Sequence, residues 1–401
     1  MQATIILGAG KERSPMNHHP WIFASAVVGY EGKITSGSTV TVKSDSGRFI
    51  GRAAYSPMSQ IRARIWSWDE NEPIDHAFFK RKIAIALAHR KKWVVQTSAI
   101  RLIFGEADGL PGLIVDQYNQ TLVCQFLSAG VEFWKEAIVK ILEDQTACHC
   151  IYERSDAAVR EREGLSLASG VLKGELSDTE LIVQENQIQY LIDPTKGHKT
   201  GFYIDQRDNR LEVAKLSSGL RVLNMFCYTG GFSLAALQGG ASEVISVDSS
   251  GDALAIASRQ LALNHLDPSK AKWVDEDAFD LLKKYREGGE QFDMIILDPP
   301  KFAPSAQHLL RAKKAYKEIN RSAMQMLRPN GLLLTFSCSG AMDLELFDQT
   351  VFLAAQEAAT HKKDPKLGFR VLKRLTSGLD HPKLSSFPEG NYLKGLMLER
   401  I

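Results

Sequence analysis

From Gln184 onward the chain alternates short apolar runs with helix-forming stretches, and that alternation limits the fold more than any other feature. Arg221-Val222-Leu223-Asn224-Met225-Phe226 reads as a buried strand, followed by a glycine turn and a helix rich in alanine and leucine. Val244-Ile245-Ser246-Val247-Asp248 is the next strand, with Ser249 or Ser250 placed to cap the helix through Asn264. Trp273-Val274 opens a third, ending near Asp275-Glu276-Asp277. Met294-Ile295-Ile296-Leu297 and Gly331-Leu332-Leu333-Leu334 are the fourth and fifth. Strand, crossover and strand repeated in this way predict an α/β fold with a doubly wound, mostly parallel sheet. Chemistry in such a sheet collects outside the carboxyl ends of the strands. Two strand ends stand out there: Asp298-Pro299-Pro300-Lys301-Phe302 and Thr335-Phe336-Ser337-Cys338-Ser339. If these strands are neighbours, a carboxylate and a thiol face one pocket.

At 401 residues the chain exceeds what one core normally supports, so two or three domains are expected. Residues 1–76 carry short β-type runs with frequent turn signals and read as a β-barrel-like module. Within it, Ile61-Arg62-Ala63-Arg64-Ile65-Trp66 alternates apolar and basic residues, which sets Arg62 and Arg64 on one face and Ile61, Ala63 and Ile65 on the other. A helix from Ile74 to Trp93 follows. Residues 77–184 read as a small α+β unit, with strands at Leu113–Asp116 and Leu122–Leu127, a helix from Val131 to Glu143, and a tight loop from Gly105 to Gly112. Residues 185–401 form the third unit.

Net charge is only +2, but from Met1 to Ile65 eight Lys/Arg stand against three Asp/Glu. A polyanion suits such a face, with Lys11, Arg13, Arg62 and Arg64 as candidate phosphate contacts; an evenly solvated basic surface is the bland alternative. Nothing at the N-terminus reads as a signal peptide, and no apolar run approaches bilayer length. Five scattered cysteines fit a reducing cytoplasm. Cys148-His149-Cys150 lacks a second pair at zinc-ligand spacing, so no metal is expected.

Gly230-Gly231 lets the backbone approach a ligand closely, and Asp248, about twenty residues on, is placed for ribose hydroxyls. The alternative for Asp248 is a helix-capping or loop carboxylate. The turn Phe226-Cys227-Tyr228-Thr229-Gly230-Gly231 lacks the three spaced glycines of a dinucleotide site. A nucleoside ligand without pyrophosphate fits better, and S-adenosylmethionine is the common one.

Phe226-x-Tyr228-Thr229-Gly230-Gly231-Phe232, Asp298-Pro299-Pro300-Lys301-Phe302 and Phe336-Ser337-Cys338-Ser339-Gly340 resemble class I methyltransferases. Taken with Gly197-His198-Lys199-Thr200-Gly201, Asp205-Gln206-Arg207, His19-Pro20-Trp21-Ile22-Phe23 and Tyr55-Ser56-Pro57, they resemble the bacterial 23S rRNA (cytosine-5)-methyltransferase family over nearly the whole chain. The resemblance implies a PUA domain first, a small α+β domain next, and a Rossmann-like class I methyltransferase domain last. It implies S-adenosylmethionine held by Phe226, Tyr228, Thr229, Gly230, Gly231, Asp248 and Ser249. Asp277 and Ala278 would lie near the adenine, and Asp298 and Gln206 would complete the site. The stretch from Lys199 to Arg207 is expected to cover the cofactor. Lys199 and Lys301 join the candidate RNA contacts.

C5 of cytosine is a poor nucleophile, and attack of a thiolate at C6 turns it into an enamine-like carbon that accepts a methyl group. Cys338 is the candidate nucleophile and Asp298 the candidate acid or hydrogen-bond partner for the ring N3. A lone cysteine on a core strand is ordinarily a small hydrophobe. Its position opposite Asp-Pro-Pro-Lys favours the nucleophile. Cys227 and Cys124 read as packing residues. The Asp-Pro-Pro-Lys turn carries no second cysteine, so Cys338 would both attack and leave. An amino-group methyltransferase for guanine or adenine would need no thiol. A non-catalytic RNA-binding assembly factor is the reading from another class. The modified nucleotide, naked rRNA against a large-subunit particle, monomer against homodimer, and the base that removes the C5 proton all stay open.

Overall fold

The computed structural model describes residues 3–176, 180–197, 199–303, 306–362 and 367–401. They form two compact units. One comprises Met1–Gln184, Ile192–Ile204 and Leu379–Gly390, and the other Glu185–Leu191, Asp205–Gly378 and Asn391–Ile401. Among the described residues no helix is long and apolar enough to cross a membrane.

The first unit holds a six-stranded sheet with strands from Thr4–Leu7 to Ile61–Ser67, and a five-stranded sheet from Ala99–Phe104 to Ala168–Gly174. Alternation builds the first: Ile5, Leu7, Val40, Val42, Ala63 and Ile65 form one core. Helix His76–Trp93 starts where Asp75 accepts a hydrogen bond from the Phe78 amide at 3.0 Å. Trp66, on the last strand of the first sheet, packs edge-on against Phe79 at 5.3 Å and shares a core with Leu102 and Ile151 of the second. The helix expected from Val131 to Glu143 is two helices, Ala129–Phe133 and Lys135–Gln145, broken at Trp134.

The second unit is built on a seven-stranded sheet. Its strands are β1 (Arg221–Met225), β2 (Glu243–Asp248), β3 (Ala271–Asp275), β4 (Phe292–Leu297), β5 (Leu327–Ser337), β6 (Phe369–Leu375) and β7 (Lys394–Arg400). Their order across the sheet is β3-β2-β1-β4-β5-β7-β6. β1 to β5 are parallel; β7 inserts antiparallel between β5 and β6. Met294, Ile295, Ile296 and Leu297 are all buried, because helices cover both faces of the central strands and the sequence there must be a continuous apolar run. The order reverses between β1 and β4, which opens a crevice at their carboxyl ends. The first five strands match those expected from the sequence; β6 and β7 are additional.

Candidate active site

The turn after β1 is under backbone strain. Phe226 and Tyr228 adopt φ of 61° and 48°, in the left-handed region that costs non-glycine residues energy and that gathers at functional sites. Gly230, at φ 79°, opens helix Gly231–Gln238. Hydrogen bonds hold this turn from below. The Cys227 amide donates to the Val247 carbonyl at 2.9 Å, and Gln260 Nε2 donates to the Thr229 carbonyl at 2.5 Å.

Asp248, half-buried at the end of β2, accepts from the Tyr228 amide on Oδ2 at 2.7 Å and from the Ser250 amide on Oδ1 at 3.0 Å. Two of its roughly four acceptor sites are thereby used, and the others can take ribose hydroxyls. The loop-tying role and the ligand role coexist in one carboxylate. Ser250, not Ser249, caps helix Gly251–Leu263 by accepting from the Ala253 amide; Ser249 is exposed beside it. Asp277 caps helix Ala278–Glu287, accepting from Phe279 and Asp280 amides on Oδ1, and Ala278 is buried behind it.

At the next strand ends, register decides the geometry. Leu297 of β4 stands opposite Thr335 of β5, so Asp298 and Cys338 leave the sheet on the same edge. Cys338 Sγ lies 4.0 Å from the Pro299 carbonyl. The buried Tyr316, on helix Leu309–Met326, shares a 3.2 Å hydrogen bond with Ser339 Oγ. Burial pushes its hydroxyl up to about 12 against the pull of Ser337 and Ser339, and the negative charges of Cys338 and Asp298 add to the rise. One hydroxyl therefore senses both groups.

Two other cysteines, Cys227 and Cys124, are buried. Burial, then the neighbouring Asp248 carboxylate, drives the Cys227 thiol well above its ordinary value. Cys124 is fully buried and is raised likewise by desolvation. Phe302 packs between Phe226 at 6.2 Å, Phe279 at 5.8 Å and Tyr316 at 4.8 Å, forming an aromatic wall beside the turn.

A family model for S-adenosylmethionine-dependent methyltransferases matches residues 120–367, and one for PUA-like domains matches residues 5–68. The chain is 46% identical over 404 residues to the ribosomal RNA large subunit methyltransferase I of Tolumonas auensis, with 100% of each covered. It is 45% identical to the Salmonella arizonae protein of the same name, over 98% of this chain and 96% of that one. The chain belongs to the ribosomal RNA large subunit methyltransferase I family. A Streptococcus mutans S-adenosylmethionine-dependent-methyltransferase-like structure superposes with a TM-score of 0.83 at 24% identity, covering 99% of both chains, which establishes the shared fold. Another, solved with S-adenosylhomocysteine, gives 0.84 at 23% over 99% of both. S-adenosylmethionine is the cofactor of this methyltransferase. The strained turn, the spare acceptors of Asp248 and the aromatic wall fit an adenosyl group.

Not every expected site residue of this family member is where a ligand could use it. Arg64 is 5% exposed and forms a two-pronged ion pair with Glu163, 2.9 and 3.0 Å. This corrects its reading as an RNA contact, because a carboxylate already occupies the guanidinium. Arg62 is half-buried and donates to the Pro57 carbonyl. Lys11 and Arg13 are exposed and form no ion pair among the described residues. Lys301 is exposed just past β4.

Gln206 is buried and accepts from Asn209 Nδ2 at 2.6 Å, which leaves its amide nitrogen as the group able to reach a ligand. Lys199 is exposed over the Tyr203 ring at 4.3 Å. The neighbouring Thr200 is buried and donates to Asp116 at 2.5 Å. His198 of the same motif lies outside the described residues. Sequence reasoning missed Tyr316 and Lys394. The second had a signal: a single cation in the apolar run Leu393-Lys394-Gly395-Leu396-Met397-Leu398.

Proposed function

We propose that this chain transfers the methyl group of S-adenosylmethionine to C5 of a cytosine in 23S rRNA, through a transient bond between Cys338 Sγ and C6. The observation that carries the reading is the common sheet edge at which β4 ends in Asp298 and β5 leads to Cys338, with β4 paired to β1, the strand that leads into the turn of Phe226 to Gly231. The cofactor supplies an electrophilic methyl group. The Cys338 thiolate adds to C6, and a hydrogen bond from the Asp298 carboxyl to N3 draws the ring electrons toward nitrogen. C5 then takes the methyl group. A base removes the C5 proton and the thiolate leaves, so no second cysteine is required.

On this reading Phe226, Tyr228, Thr229, Gly230, Gly231 and Asp248 hold the cofactor, with Ser249, Asp277 and Ala278 at its rim. Lys11 and Arg13 meet RNA phosphates, which position without specifying sequence, and Lys199 and Lys301 add charge elsewhere on the RNA path. The target base must leave its stack to enter the pocket. The names of the relatives support a large-subunit rRNA substrate, and such a substrate is met in the cytoplasm.

Mass spectrometry of 23S rRNA nucleosides from a strain lacking the gene tests this. The expected result is the loss of 5-methylcytidine at one position; an unchanged level contradicts the proposal. An amino-group methyltransferase would instead lose an N-methylated purine.

A further inference from the structure

Lys394 is the first residue of β7 and the Cα partner of Ser337, the last residue of β5 before the thiol. Its side chain runs into the protein rather than out of it: the residue is 3% exposed, and Nζ donates to the Ser339 carbonyl at 2.9 Å. Lysine is almost never buried without a partner anion. Among the described residues Lys394 has no carboxylate at ion-pair distance, and the Ser339 carbonyl accounts for one of its three donors. Its amino group is thus held against the backbone of Ser339, the residue after Cys338.

Both ends of this arrangement have other charged neighbours. Cys338 and Asp298 both act on the Tyr316 hydroxyl, while Asp343 and Lys301 act on Lys394. Burial brings the Lys394 ammonium down to about 8; Cys338 is the first of the groups that pull it back up, ahead of Asp343, and Lys301 opposes them. A lysine in that condition exchanges protons near neutrality, as an isolated surface lysine does not.

We propose that Lys394 is a positioning residue for the Cys338 thiol: its amine takes the thiol proton, and the ammonium so formed holds the thiolate ready at the pocket. The step balances within the pair. The S–H bond breaks, its proton forms a new N–H bond with the Nζ lone pair, and sulfur keeps the electron pair that later forms the bond to C6. No oxidant, metal or further reactant enters. The inference rests on the cytosine-C5 reading above for its purpose, but the pair itself can be tested without RNA or cofactor.

The test is the pH dependence of Cys338 alkylation by iodoacetamide in the full-length protein, followed by mass spectrometry of the Cys338 peptide, since only the thiolate reacts. The wild-type midpoint is expected below the ordinary thiol value of about 8.5. Lys394→Met is expected to raise it by about one unit or more, a roughly tenfold slower reaction at neutral pH. Lys394→Arg retains a cation and is expected to keep the midpoint low. A wild-type midpoint at or above the ordinary value overturns the inference, even where Lys394→Met fails to fold. So does a midpoint unchanged in a folded Lys394→Met. Failure of the cytosine-C5 reading appears separately, as a Cys338→Ala variant that still methylates.

Discussion

Asp298 and Cys338 emerge from adjacent parallel strands at one edge of the sheet, because Leu297, just before Asp298, is paired in the β4–β5 ladder with Thr335, three residues before Cys338. That register brings the two residues to the same edge, and on the proposed reaction their variants should separate binding from chemistry. Cys338→Ala is expected to abolish methyl transfer while binding S-adenosylmethionine as wild type does. Asp298→Asn is expected to lower the rate by about 10²–10⁴-fold, the range for losing a positioned acid or base. Methyl-transfer assays beside calorimetric titration check both. A fully active Cys338→Ala would favour amino-group chemistry instead.

Asp248 ties the strained turn to β2 through the Tyr228 amide at 2.7 Å and keeps acceptor capacity for the ribose. Removing it costs charge-assisted hydrogen bonds of about 1.5–3 kcal/mol each. Asp248→Ala should therefore weaken cofactor binding by roughly ten- to a hundredfold per bond lost. Calorimetry reads this directly, and an unchanged affinity would remove Asp248 from the cofactor site.

Gly230 has φ 79°, and a methyl group there would stand 3.0 Å from Ala257 Cβ and 3.1 Å from the Trp273 ring. Gly230→Ala combines strain with crowding, so a loss of about 1 kcal/mol or more is expected as a lower denaturant midpoint. A stabilised variant would show that the turn can relax.

Arg64 and the exposed cations should behave in opposite ways. Arg64→Ala leaves Glu163 buried and unpaired, a loss of about 3–5 kcal/mol visible as a fall in Tm. Lys11→Ala and Arg13→Ala should leave Tm unchanged, weaken RNA binding and reduce its salt slope by about one each. Burial pushes the Glu163 carboxyl up, but Arg64, Ser59 and Ser56 together hold it below the usual range. The folded value being the lower one, this pair stabilises the protein above the ordinary carboxylate pKa. The contribution is lost as pH falls through the folded value. Glu163→Gln should flatten that acid limb in a pH series of melts.

What the sequence made legible follows from which interactions are local. The inner strands β1, β2, β4 and β5 are largely buried, so their apolar residues stand out between turns, and β4 is all aliphatic from Met294 to Leu297, whereas β3, at the sheet edge, has no buried residue. β6 is an exposed edge strand whose Phe369-Arg370-Val371-Leu372-Lys373-Arg374 carries its cations outward, and its pattern resembles a solvated loop. β7 follows a long irregular stretch, so its return between β5 and β6 has no local sign. With it Lys394 stayed hidden, although Cys338 and Asp298 stood out. The period-two alternation at Ile61–Ser67 placed Ala63 and Ile65 in the core correctly. It could not reveal that the other face is covered, because Glu163 arrives from ninety-nine residues downstream.

The central claim is that Cys338 bonds to C6 of a cytosine during methyl transfer. The most direct measurement offers the protein large-subunit rRNA fragments carrying 5-fluorocytidine, together with S-adenosylmethionine. Fluorine at C5 cannot leave as a proton does, so the adduct should accumulate. A covalent protein–RNA complex whose cross-linked peptide contains Cys338, and which is absent from Cys338→Ala, is the predicted result. Methylation of the unmodified RNA with no such complex from its fluorinated counterpart, or a complex joined through another residue, would contradict it.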